Sequence, residues 1–93
     1  EIVPVREAAS RETVTADVVG PICESGDFFC QDRELADFGA RDVIALMSAG
    51  AYSFTMASNY NSRPMPAEIL VDGSEARVVR SRQSWDDLIA PEL

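Results

Sequence analysis

The residues whose side chains are best suited to take part in a reaction lie in the stretch Gly20–Asp27, which is Gly-Pro-Ile-Cys-Glu-Ser-Gly-Asp. It places the thiol of Cys23 beside the carboxylate of Glu24. A thiol, with an ordinary pKa of about 8.5, can give up a proton near neutral pH once its neighbours tune it. A carboxylate is suited to pairing with an ammonium group. The same residues also fit a polar turn that contains one small, packed cysteine.

A second group of candidate residues follows an apolar run further along the chain. The segment 49–52, Ala-Gly-Ala-Tyr, presents the phenol of Tyr52, and the polar segment 58–64, Ser-Asn-Tyr-Asn-Ser-Arg-Pro, comes soon after it. A phenol can donate a hydrogen bond to a phosphate oxygen without burying another charge. An aromatic residue after small residues is more often part of a core. Residues Tyr60, Asn61 and Arg63 fit loop packing at least as well as a site.

Composition excludes several classes of function. The chain has 93 residues, enough for one domain at most, and a formal net charge of −8. That charge argues against nucleic acid and anionic membranes as partners. No apolar run approaches the roughly 20 residues that span a bilayer. The sequence contains no histidine and no lysine, so a histidine-based triad or metal site is excluded, and we expect no metal.

The two cysteines, Cys23 and Cys30, are expected to be free thiols. Seven residues of continuous strand would separate them by about 23 Å and place them on opposite faces. A disulfide needs Cα atoms within about 7 Å, so a bridge would require a sharp reversal of the chain between them. We do not expect such a reversal. Free thiols fit a reducing, cytoplasmic setting.

The elements that would position these residues are mostly strands. We predict extended segments at Ile2–Val5, limited by Pro4 to an edge or a strand start, and at Thr13–Ile22. Residues 27–30 could continue the second of these beyond a kink. Two polar stretches, Arg6–Arg11 and Gln31–Arg41, are predicted as loops. The apolar run Asp42–Met47 predicts a short buried strand.

The C-terminal half contains a hairpin signal and a helix signal. Strands are predicted at Ala67–Val71 and Glu75–Arg80, on either side of Asp-Gly-Ser. The segment Ser84-Trp85-Asp86-Asp87 has capping-box spacing and predicts a short helix that ends by Pro91. Residues 52–56 alternate in polarity, which favours a strand, although Tyr52 and Met56 also lie one helical turn apart.

Taken together, the two motifs and the following Pro66–Gly73 resemble the C-terminal part of the diaminopimelate decarboxylases. These belong to the pyridoxal-phosphate-dependent ornithine, diaminopimelate and arginine decarboxylases. The resemblance runs from about Val18 to Leu93. It implies a mainly β fold with one or two short helices, one of them over about Tyr52–Asn59. The expected domain is a C-terminal β-barrel of the alanine racemase type, incomplete relative to its parent.

The resemblance also implies an organisation. Residues 1–93 would be a single domain, the C-terminal part of a two-domain enzyme whose (β/α)8 barrel is absent here. Pyridoxal phosphate is held as a Schiff base on a lysine, and this chain has none, so the lysine would belong to that barrel. The implied partners are the N-terminal barrel, a second subunit of a homodimer and a small amino-acid substrate. The 93-residue chain alone is expected to be inactive.

Three site residues follow from the resemblance. Cys23 would help protonate the substrate α-carbon after CO2 leaves, at the cofactor of the partner subunit. Glu24 would recognise the distal end of the substrate, and its carboxylate favours diaminopimelate over ornithine, for which the family carries aspartate. Tyr52 would bind the cofactor phosphate and approach the substrate carboxylate. The chain departs from the family pattern at Arg41, where glycine is usual, outside both motifs.

The implied reaction is decarboxylation of meso-diaminopimelate to L-lysine and CO2. Two alternatives stay open. One is a decarboxylase of the same fold that acts on another amino acid with a distal amine. The other is a non-catalytic, acidic β domain that binds a protein. A lysine-bearing barrel upstream in the same reading frame would discriminate between the enzyme and the binding domain.

Overall fold

Three antiparallel strand pairs make up most of the regular secondary structure in the computed structural model, which describes residues 1–6 and 12–93. The predicted loop at Arg6–Arg11 therefore lies mainly outside the described residues. The chain divides into two units, Glu1–Ser53 and Phe54–Leu93. The expected mainly β fold with one or two short helices is confirmed, and two are present in the described residues. The barrel is not, because the described strands form three separate two-stranded sheets and no closed one.

In the first unit, strand β1 (Ile2–Pro4) pairs antiparallel with β4 (Ile44–Leu46). Hydrogen bonds from the Val5 N–H to the Val43 carbonyl (2.9 Å) and from the Met47 N–H to the Glu1 carbonyl (2.8 Å) extend the ladder at both ends. Both strands are half-buried. Each lies where its apolar run predicts it. Pro4 is the last residue of β1 rather than the first, and β1 is an edge strand because its sheet has two strands, as expected for a strand that contains a residue without an N–H.

Strand β2 (Thr13–Val19) pairs antiparallel with β3 (Phe28–Ala36) across the connection Gly20–Asp27. Two predictions were wrong here. Residues 27–30 do not continue the first strand but begin the returning one, and most of Gln31–Arg41 is strand rather than loop. The chain thus makes the sharp reversal that the sequence argued against. Even so, both cysteines are free thiols, Cys23 exposed in the connection and Cys30 buried in β3.

The β2–β3 ladder contains two irregularities, one on each side of the Val18 and Cys30 pair. At the first, Asp32 adopts a left-handed φ of 50°, and its N–H donates to Asp17 Oδ1 at 2.7 Å. Asp17 thereby satisfies an amide that the bulge removes from the ladder. The extra residue also shifts the alternation of β3, so Cys30 and Leu35, an odd number of residues apart, are both buried.

Helix α1 (Gly50–Ser53) follows β4 after a short connection and is a single turn. Both the N–H and the hydroxyl of Ser53 donate to the Ala49 carbonyl, at 3.0 Å and 2.6 Å. A helix therefore forms here rather than the strand that the alternation favoured. It begins two residues earlier than the resemblance implied and shares only Tyr52 and Ser53 with the expected span of about Tyr52–Asn59. Earlier in the unit, Arg41 has a φ of 73°, which explains why glycine suits this position.

The second unit begins with a hairpin of β5 (Glu68–Asp72) and β6 (Glu75–Arg80). Its two-residue loop has Gly73 first, at a φ of 61°, which is the pattern of a type II′ turn. Arg80 Nε donates to Glu68 Oε2 at 2.5 Å, and its guanidinium lies 4.1 Å from the centre of the Phe54 ring. The predicted hairpin is confirmed to within one residue at each end.

Helix α2 (Trp85–Ile89) begins with the predicted capping box and stops before Pro91, with a 3-10 turn at Ala90–Glu92. The Ser84 N–H donates to Asp87 Oδ2 at 2.7 Å, and the Asp87 N–H donates to Ser84 Oγ at 3.2 Å. The hydrogen bond from the Ser84 backbone, followed by that with its side chain, lowers the pKa of Asp87 below its ordinary 3.8.

This cap predicts a pH dependence. Because the pKa of Asp87 is lower in the folded chain, its stabilising contribution is present above the ordinary value and is lost as pH falls through the folded pKa. We expect Asp87→Asn, which keeps an acceptor but does not titrate, to show a smaller fall in Tm between about pH 6 and about pH 2. Thermal unfolding followed by circular dichroism measures this difference. Identical pH profiles for both proteins would contradict it.

Few side chains are buried in the part of the chain that the structure describes. Among the residues described, only Cys30 and Leu35, at 5% and 7% exposure, form a core, and both lie on β3. Large apolar side chains are exposed in both units, among them Val19, Tyr52, Met56, Val71, Val79, Trp85 and Leu93. Apolar exposure on this scale is typical of a surface that other polypeptide covers.

Candidate functional site

The connection Gly20–Asp27 is an ordered reversal held by its own backbone. The Gly20 N–H donates to the Asp27 carbonyl at 2.9 Å and closes the base of the loop. At its tip, the Asp27 N–H donates to the Glu24 carbonyl at 3.0 Å, which makes residues 24–27 a β-turn with Ser25 and Gly26 at its centre. Pro21, which has no N–H to leave unpaired, fits the point where the chain departs from the ladder.

Cys23 and Glu24 lie at the exposed end of this reversal. The Glu24 side chain folds back over its own turn, and Oε1 accepts a hydrogen bond from the Gly26 N–H at 3.0 Å. This contact orients the carboxylate while leaving Oε2 for another donor. The reversal therefore presents an accessible thiol next to an oriented carboxylate. The thiol can donate a proton, and the carboxylate can accept hydrogen bonds from a cation.

The other carboxylate of the motif, Asp27, points into the loop. It is half-buried, and its Oδ2 accepts a hydrogen bond from the Ile22 N–H at 2.8 Å. The Asp27 side chain therefore braces the loop and is not presented to a ligand. The sequence alone did not reveal this contact, because the reversal that brings residue 27 back to residue 22 was not foreseen.

Tyr52 lies in helix α1 of the same unit, with its side chain 73% exposed. No hydrogen bond of the described residues joins Tyr52 to Cys23 or Glu24. Two of the three expected site residues, which are neighbours in the sequence, thus lie together at the exposed end of the reversal. The third is presented separately, with its hydroxyl accessible to a ligand.

The cavity found in the described part of the chain is lined by other residues. Its volume is about 380 Å³, and its walls are formed by Val5, Arg6, Arg41, Asp42 and Val43. None of the three expected site residues contributes to it. Over residues 1–6 and 12–93, no cluster of three or more histidine, cysteine, aspartate or glutamate residues could hold a metal ion. Within the same ranges, no helix is long and apolar enough to cross a membrane.

A second ordered loop, which sequence reasoning left outside the site, precedes the C-terminal hairpin. Gln83 Oε1 accepts hydrogen bonds from Asn59 Nδ2 at 2.6 Å and from the Met65 N–H at 2.8 Å. Within this loop Asn61 and Ser62 have left-handed φ values of 58° and 59°. Asparagine is among the residues that tolerate this conformation, so Asn61 was the sequence signal for a tight loop here.

Comparison with known proteins gives one concordant result. Residues 1–50 match the family model described as pyridoxal-dependent decarboxylase, C-terminal sheet domain. The chain is 46% identical over 92 residues to a diaminopimelate decarboxylase of Aquifex aeolicus, covering 99% of this chain and 22% of that protein. It is 55% identical over 73 residues to the diaminopimelate decarboxylase of Methanothermobacter thermautotrophicus, covering 78% of this chain and 17% of that protein.

Solved structures agree over the whole chain. The crystal structure of AQ1208 from Aquifex aeolicus matches with a TM-score of 0.94 at 44% identity, covering 100% of this chain and 23% of the other. Diaminopimelate decarboxylase from Helicobacter pylori, complexed with L-lysine, matches with a TM-score of 0.88 at 39% identity, covering 99% and 22%. This chain spans about a fifth of the length of these relatives. It belongs to the pyridoxal-dependent decarboxylase family, as part of the C-terminal sheet domain.

Proposed function

We propose that this chain is the C-terminal part of a diaminopimelate decarboxylase. In the whole enzyme it would help complete an active site at the interface of two subunits, for conversion of meso-diaminopimelate to L-lysine and CO2. The observation that carries the proposal is the ordered turn that presents Cys23 beside Glu24, in a chain about half identical to enzymes of that name. The exposed apolar side chains of both units support burial against further polypeptide.

The residues present fit a contributing role towards pyridoxal phosphate. The chain has no lysine to bind it covalently, whereas Tyr52 offers an exposed phenol that can donate to a phosphate oxygen. When bound, the cofactor supplies the electron sink that makes loss of CO2 from the α-carbon possible. Tyr52 then has two tasks in this proposal, which are to hold the phosphate and to lie near the substrate carboxylate.

Cys23 is the proton donor of the proposal. After CO2 leaves, the α-carbon must gain a proton, and the Sγ–H bond of Cys23 would break as the new C–H bond forms. The thiol is accessible in the described chain, as this role requires. The resulting thiolate regains its proton from solvent before the next turnover. A proton donor must come within about 3 Å of the atom that it protonates, so placement of the turn matters.

Glu24 is the specificity residue of the proposal. Diaminopimelate carries an ammonium group at its distal end, and an ionised carboxylate forms strong, short hydrogen bonds with such a group. The Gly26 N–H holds Oε1 and so limits the directions in which Oε2 can point. An oriented acceptor costs less conformational entropy on binding than a free side chain does.

The direct test is expression of the full-length reading frame and measurement of CO2 release. Meso-diaminopimelate is the expected substrate, and ornithine, arginine and lysine are assayed separately for comparison. Preference for ornithine or arginine would establish the alternative, a decarboxylase for another amino acid with a distal amine. No release from any of them would favour the acidic protein-binding domain.

The isolated 93-residue chain is expected to bind no pyridoxal phosphate tightly and to release no CO2. It lacks a lysine for covalent attachment, and its expected cofactor contact is the single residue Tyr52. Dialysis of the chain with the cofactor, followed by absorbance spectroscopy, measures retention. A protein-bound cofactor band that survives dialysis would contradict this expectation.

A further inference from the structure

Asp27 is bonded to the loop on both sides of Cys23. Its carbonyl accepts from the Gly20 N–H at 2.9 Å, its Oδ2 accepts from the Ile22 N–H at 2.8 Å, and its own N–H donates to the Glu24 carbonyl at 3.0 Å. One residue therefore holds the backbone immediately before and immediately after the thiol. These contacts are half-buried at residues 20, 22 and 27, whereas residues 23 and 24 are exposed.

Gly20 makes room for this arrangement. A Cβ atom at position 20 would overlap both carboxylate oxygens and the Cγ of Asp27. Gly20 does not adopt the left-handed φ that favours glycine elsewhere, so space and not backbone conformation explains the residue. The carboxylate could escape a methyl group only by moving, and movement would break its bond to the Ile22 N–H.

We propose that Gly20 and Asp27, here named the loop clamp, are positioning residues that set the place of Cys23 and Glu24 in the reaction. This deepens the proposed function and rests on it. Neither residue is proposed to touch the substrate. Proton donation and recognition of an ammonium group both depend on geometry, and a displacement of about 1 Å can cost roughly 10² in rate.

The clamp requires an acceptor at position 27 and no side chain at position 20. Two distinct predictions follow from that chemistry. Asp27→Asn keeps an oxygen that can accept from the Ile22 N–H, so it rescues what Asp27→Ala loses. Gly20→Ala harms the loop only while the Asp27 carboxylate is present, so the two alanine substitutions are not additive.

The test is a double-mutant cycle in the full-length protein, comprising Gly20→Ala, Asp27→Ala and the pair together. Gly39→Ala is the matched control. Gly39 also donates its N–H to an aspartate side chain, Asp42 Oδ2 at 2.8 Å, yet a Cβ there would lie at an ordinary 3.6 Å from that oxygen. Two readouts are needed, namely kcat and KM with meso-diaminopimelate, and hydrogen exchange of the Ile22 amide by mass spectrometry.

We expect each single substitution in the clamp to lower kcat by about 10- to 100-fold, with Ile22 exchange faster by at least about tenfold. Adding Gly20→Ala to Asp27→Ala should change kcat by less than about threefold. Asp27→Asn should recover most of kcat and of the exchange protection, and Gly39→Ala should match the unmodified protein. If Gly20→Ala gives no folded protein, the contrast between Asp27→Asn and Asp27→Ala decides the question.

Fully additive losses, or failure of Asp27→Asn to recover activity, would overturn the clamp. So would losses in thermal stability that account for lost activity while Ile22 exchange stays unchanged. Absence of decarboxylase activity in the unmodified full-length protein would instead overturn the proposed function. Hydrogen exchange and the cycle measured on Tm would still report whether Asp27 holds the Ile22 amide, so the two failures are distinguishable.

Discussion

Cys23→Ala in the full-length protein is expected to lower kcat by roughly 10² to 10⁴ while leaving KM little changed, since general acid catalysis contributes on that scale. The thiol would act only as the proton moves, so its loss affects the transition state more than substrate binding. Steady-state kinetics with meso-diaminopimelate measures both constants.

Cys30→Ala is the matched control, because it removes the other thiol of the chain from a buried position on β3. We expect it to lower Tm, since loss of a small buried group creates a cavity. It should leave kcat close to that of the unmodified protein, because Cys30 has no proposed catalytic role. Unchanged kinetics for Cys23→Ala would show that Cys23 is not the proton donor.

Glu24→Gln is expected to act on specificity. A hydrogen bond to a charged group contributes about 1.5–3 kcal/mol, so loss of the carboxylate should lower kcat/KM for meso-diaminopimelate by roughly 10- to 100-fold. Discrimination against substrates without the distal amino-acid end should fall as well, because the residue that recognises that end is changed. The measurement is kcat/KM with meso-diaminopimelate and with lysine or ornithine.

Glu34→Gln serves as the control for loss of one surface charge, since Glu34 is an exposed residue of β3 opposite Thr15. It should leave kcat/KM and discrimination unchanged. Equal losses on every substrate for Glu24→Gln would show that Glu24 and Cys23 do not have separate roles. A loss confined to KM for all substrates would indicate general electrostatic attraction rather than recognition of the distal group.

Elements defined by neighbouring residues were predictable from the sequence. The β5–β6 hairpin follows from Gly73 between two β-branched runs, and α2 follows from Ser84 and Asp87 at capping-box spacing. Turn and cap preferences act over a few residues, so local sequence is enough to specify them. The same holds for the adjacency of Cys23 and Glu24 and for the absence of lysine, which are facts of the sequence itself.

The β2–β3 reversal was decided by tertiary structure. Strand β3 shows no simple alternation, because a bulge at Asp32 shifts the parity between Cys30 and Leu35, and most of its other residues are exposed. A charged stretch with no period-2 pattern therefore resembled a loop. It is a strand because β2 offers it a partner across the connection Gly20–Asp27. Pairing with another segment leaves no pattern in the sequence of β3 itself.

For the candidate site, the sequence alone determined which reactive groups are adjacent, since Cys23 and Glu24 are joined by a peptide bond. Only the tertiary structure decided how they are held. The carboxylate of Asp27 reaches the Ile22 amide, and lies against Gly20, because the chain reverses between β2 and β3. Contacts of this kind depend on the path of the backbone in space, which short-range sequence patterns do not reveal.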